Sequence, residues 1–191
     1  MNSNYPAQSF KLSDLNEDER QFVIKMPYRV GMFISLSDTK GGTQADEQEI
    51  RALEVIVTSY AQDFCKSEFV QTVMNKTVEH KEKWQDWISD IETVPQECEK
   101  LIDLLEKYLY RKELDAMKAN LLEIGRSVAL AYRELEEDAS FLKIIQQKLN
   151  HFSHTRTARK SGQEPLRWQE YKNVSPDEHK ALTTLAKSLK I

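Results

Sequence analysis

The stretch LDAMKANLLEIGRSVALAYREL, residues 114 to 135, decides the fold. Leu114, Met117, Leu121, Ile124, Val128, Ala131 and Leu135 alternate spacings of three and four residues across it without a miss. Side chains that recur in this way line one face of an α-helix. Leu122 and Tyr132 widen the stripe. A helix from Lys112 to Leu135 is therefore expected at the buried centre, and not as a coiled-coil arm. Gly125 lies inside it at a cost of ~1 kcal/mol relative to alanine, which points to a close helix crossing.

The same period continues on both sides. Pro95 opens a helix whose Leu101, Leu104, Leu105, Tyr108 and Leu109 fit one apolar face. Ser67 to Ile91 reads as one helical stretch or two, with Val70, Met74, Thr77, Trp84, Ile88 and Ile91 on the stripe and Lys81 interrupting it. Ile50, Leu53, Val57, Tyr60 and Phe64 form an earlier face. Beyond the central helix, Phe141, Ile144, Ile145, Leu149 and Phe152 mark a further one. The last helix buries Leu182, Leu185 and Leu189 behind the start signal Ser175-Pro176-Asp177-Glu178. There serine caps, proline suits the first helical position, and Glu178 closes a capping box.

Nearer the N-terminus the pattern is less regular. Residues 1–12 are expected to be a loose polar lead-in. A helix starts near Ser13 or Asn16, because Asp14, Glu17, Asp18 and Glu19 suit the positive end of a helix dipole. Pro27 is expected to break or restart it. Tyr28 to Leu36 suits a buried helix or a strand, which periodicity cannot separate at this length. Ser37 to Thr43 is a loop, since Gly41-Gly42 places two of the five glycines side by side.

Composition agrees with an all-α class. The 191 residues hold only five Gly and five Pro, too few for the turns of a β-sandwich or the phosphate loop of a dinucleotide-binding fold. The length suits one domain, expected over residues 13–191 with seven to nine helices and a polar, basic insertion around 136–173. A net charge of −4 excludes a globally basic nucleic-acid binder. Met1 to Pro6 carries neither a basic start nor an apolar core, so no secretory signal is expected and a cytoplasmic location is. Cys65 and Cys98 lack metal or redox spacing and read as small buried hydrophobes.

No catalytic motif is present. There is no GxSxG, phosphate loop or GxGxxG, and no paired ExxH of a di-iron bundle. An enzyme is not expected. Asp38 and Glu49 are spaced like the first and last ligands of an EF-hand, but Lys40 and Thr43 occupy positions that need an oxygen ligand and a glycine. What remains is a cluster of carboxylates, Asp38, Asp46, Glu47 and Glu49. It suits a hard cation, or is a solvated loop before an acid-rich first turn. His151 and His154 lie three apart without further zinc ligands, and His80 and His179 stand alone as surface residues.

Between 143 and 172, seven Lys and Arg face two Glu, with Phe152, Trp168 and Tyr171 interleaved. Basic and aromatic groups together suit single-stranded nucleic acid or an anionic membrane, with Arg156, Arg159, Lys160 and Trp168 as the contacts. A mobile basic loop pairing with the chain's own acids, including Glu134, Glu136, Glu137 and Asp138, also explains the pattern and is the favoured reading.

One internal correspondence stands out. Thr43, Asp46, Ile50, Leu53 and Val57 lie at offsets 0, 3, 7, 10 and 14, and Ser175, Glu178, Leu182, Leu185 and Leu189 repeat those offsets. Any capped amphipathic helix fits, and so do two copies of one helical hairpin. The loop from Asp38 to Glu49, the helix after it, and Val174-Ser175-x-x-Glu178 with its leucine stripe resemble the tellurite-resistance TerB-like family. Leu121 to Tyr132 looks like the helix before that family's second loop. The resemblance spans roughly residues 26–135 and 174–191. Gly41-Gly42 departs from the family's usual Asp-Gly, and Tyr132-Arg133-Glu134 stands where a second aspartate is expected. The resemblance implies an all-helical, non-enzymatic protein of stress response that binds a divalent metal or a protein partner. The metal would be Ca²⁺, Mg²⁺ or Mn²⁺, held by Asp38, Asp46 and Glu49 and closed by Glu178.

Overall fold

Residues 10–37, 47–63, 67–131 and 174–191 are described by a computed structural model of the chain. Among them lie six α-helices and no strand: α1 (Glu17–Ser35), α2 (Glu47–Asp63), α3 (Glu68–Glu79), α4 (Val94–Leu105), α5 (Arg111–Ala131) and α6 (Pro176–Ser188). Short 3-10 turns occur at Leu12–Asp14, Lys81–Lys83, Asp86–Ile88 and Ile91–Thr93. The all-α class holds. The expected seven to nine helices number six among the described residues. One reason is that Ser67 to Ile91 forms a single α-helix followed by three tight turns. The helix expected from Phe141 to Phe152 lies outside the described residues.

Local signals set most helix starts. Asn16 caps α1 by accepting from the Glu19 N–H at 2.9 Å, and Glu19 returns a bond to the Asn16 N–H at 3.3 Å. Ser175 and Glu178 exchange the same pair of bonds at the start of α6, and Ser67 caps α3 by accepting from the Val70 N–H. Pro95 occupies the first turn of α4, where its missing N–H has no partner to lose. Leu12, expected in a loose lead-in, is buried against the core.

Pro27 does not break α1, contrary to expectation. A proline inside a helix removes one backbone bond and typically costs ~3 kcal/mol. Tertiary packing offsets that cost. Every residue from Val23 to Ser35 except Lys25 and Phe33 is buried. The carbonyl that the missing N–H leaves is Val23's; the Thr77 hydroxyl of α3 reaches the next one, Ile24, at 2.6 Å, and its own helix's Val73 carbonyl at 3.0 Å, which ties α3 to α1. Tyr28 to Leu36 is thus helix, ending at Ser35 with Leu36 as its cap.

α5 lies at the centre as expected, with Leu114, Met117, Leu121, Ile124 and Val128 buried. It shares that place with α1, against which it packs most extensively. α1 also packs on α2, α3, α4 and α6, which accounts for its burial on nearly all faces. Gly125 marks the crossing that its position predicted. A Cβ there would lie 2.9 Å from Leu185, 3.2 Å from Ile34 and 3.3 Å from Leu182, so α1 and α6 both press on α5 at that point. Gly31 plays the same part in α1, where a Cβ would collide with Leu53 of α2.

Candidate functional site

Of the four carboxylates expected to share a cation, only Glu178 has its side chain among the described residues. It is 6% exposed in the first turn of α6. Its Oε2 accepts from the Ser175 N–H at 2.8 Å while Ser175 Oγ accepts from the Glu178 N–H at 3.2 Å. Its first task is therefore capping. Glu49 lies in the first turn of α2 with its side chain outside the described part, and Asp38 and Asp46 lie outside it altogether. Among the described residues, no group of three or more His, Cys, Asp or Glu is placed to hold a metal ion. Arg156, Arg159, Lys160 and Trp168, with the rest of the basic segment, also lie outside the described residues, as do Cys65, His151 and His154.

The remaining singled-out residues take structural places. His80 Nδ1 lies 2.9 Å from the Lys76 carbonyl at the end of α3, a backbone cap. Lys81 sits in a 3-10 turn and pairs with Glu54 across to α2, so it leaves the apolar stripe intact. Cys98 is fully buried, as expected of a small hydrophobe. Burial pushes its thiol up to about 12, against the smaller opposing pull of a hydrogen bond with Ser188. A thiol so held is protonated and inert at neutral pH.

One ionic cluster escaped the sequence reading. Arg29 of α1 is 3% exposed, and its Nε donates to Glu97 of α4 at 2.6 Å. Its remaining nitrogens donate to the carbonyls of Trp87, Ser89 (2.7 Å) and Asp90 (3.1 Å). Lys25 adds a second cation to Glu97 at 3.0 Å. A single guanidinium thereby ties the turns between α3 and α4 onto α1, including Asp90 in the left-handed region at φ 51°. Tyr28 stacks on Trp84 in the same region, with ring centroids 4.5 Å apart. The Arg29 donors are spent on these contacts, while the buried Tyr28 hydroxyl has no hydrogen-bond partner among the described residues. The charged cluster offers nothing to a ligand.

An open cleft of about 680 Å³ remains. It lies between the start of α1, α3 and the turn joining α4 to α5. Its floor is Leu12, Ile24 and Phe69, and Phe10, Tyr108, Leu109 and Tyr110 form a wall. The rings of Phe10 and Tyr108 stack at 4.8 Å with 9° between their planes. Lys11, Arg20 and Lys76 surround the opening with Glu17, Glu68 and Glu113, beside His80. Tyr108 was expected on the buried stripe of α4. The helix instead ends at Leu105, whose carbonyl accepts from Tyr108 (3.1 Å) and Leu109 (2.8 Å) as the chain turns. Tyr108 is left 44% exposed.

Comparison of the chain with protein-family models, with curated proteins and with solved structures finds no match. Among the described residues, no helix is long and apolar enough to cross a membrane.

Proposed function

We propose that this chain is a non-enzymatic, TerB-like helical protein of stress response that binds a divalent metal or a protein partner. The supporting observation is a correspondence between its hairpins. Leu53 of α2 fits over Gly31 of α1, and Leu185 of α6 fits over Gly125 of α5. Leu53 stands ten residues after Thr43, and Leu185 ten residues after Ser175, which caps α6. Each glycine follows a β-branched residue, Val30 or Ile124. On this reading, α1 with α2 and α5 with α6 are two copies of one helical pair, the duplication that the resemblance implies. In that unit Asp46 corresponds to Glu178.

The metal arm of this proposal assigns Asp38, Asp46, Glu49 and Glu178 to one cation. Carboxylates gathered at two helix starts repel one another, and a hard cation relieves that repulsion. A ligand that binds only the folded chain stabilises it by ~2.7 kcal/mol at a hundredfold excess over Kd. Millimolar Ca²⁺, Mg²⁺ or Mn²⁺ is expected to raise the melting temperature of chelator-stripped protein. Asp38→Asn with Asp46→Asn should abolish the rise. Glu178→Gln should weaken it while leaving the cap geometry in place. A melting temperature indifferent to all three ions would reject the metal arm.

A further inference from the structure

We draw no further inference here: the strongest candidate, the open cleft between the start of α1, α3 and the α4–α5 turn, has charges around its mouth that already pair within the chain (Arg20 with Glu17, Lys76 with Glu79, Ser67 with Glu113), and nothing in the structure shows what covers it.

Discussion

Gly31 and Gly125 show how much a single missing Cβ decides. Alanine at either position gains ~1 kcal/mol of helix propensity. Overpacking a filled core costs ~1–3 kcal/mol. Leu53 is fully buried, so it has little room to swing away from a Cβ at Gly31. Gly31→Ala is therefore expected to destabilise, and by more than Gly125→Ala, where the nearest contact is 2.9 Å and three side chains share the adjustment. Urea denaturation of both variants checks this; Gly31→Ala as stable as wild type would remove the close-crossing role. Two buried acids set the alkaline limit. Burial lifts Cys98 from 9.0 to about 12, and burial followed by the Glu54 carboxylate lifts Tyr28 from 10.0 to about 12. The folded chain keeps protons that the unfolded chain releases, so stability is whole below the unfolded values and falls as pH rises past them. The slope reaches ~1.4 kcal/mol per pH unit for each group. Unfolding free energy should decline from pH 9 upward, and Cys98→Ala should flatten the first unit of that decline. A wild-type profile that stays level to pH 11 would contradict both assignments.

At the scale of elements, α1 is the informative case. Its caps are local: Asn16 and Glu19 exchange bonds three residues apart, and the acid-rich start is legible for that reason. Its passage through Pro27 is not local, because the support comes from the helices packed around it, including α3, whose Thr77 hydroxyl bonds the Ile24 carbonyl. Thr77→Val keeps the shape and removes that donor. It is expected to cost ~1 kcal/mol, the net worth of one intramolecular hydrogen bond, while Thr77→Ser should recover most of the loss. Equal melting temperatures for wild type and Thr77→Val would show that this bond adds nothing to the docking of α3 on α1. The end of α4 teaches the converse. Leu101, Leu104, Leu105, Tyr108 and Leu109 fit a helical stripe, yet the chain leaves the helix after Leu105 to reach α5. Periodicity identifies a face and does not say where the helix stops.

For the molecule as a whole, the paired centre of α1 and α5 carries the stability. Leu121 and Ile124 of α5 and Met26 of α1 are all fully buried. Truncating any of them to alanine should cost ~2–5 kcal/mol, lost transfer energy plus a cavity. Chemical denaturation of the three variants checks it. A cost below 1 kcal/mol for Met26→Ala alone would return the centre to α5 by itself.

What the amino-acid order determined unaided is what lies within a turn or two along the chain. The all-α class, the α5 stripe, the slot at Gly125 and the capping box of Ser175 and Glu178 all follow from spacings of three and four, which backbone geometry ties to one helix face. The shared central place of α1 was hidden for the opposite reason: buried on nearly every side, it shows no polar face for a period to register. Only the tertiary structure decided the continuity of α1 through Pro27, the anchoring of the turns by Arg29 and Glu97, and the cleft. Phe10, Phe69 and Tyr108 belong to three segments that no local spacing connects. They meet only because the packing of α1, α3 and α5 brings those segments to one side of the core, where a loose-looking lead-in and a misjudged helix end become the walls of one cleft.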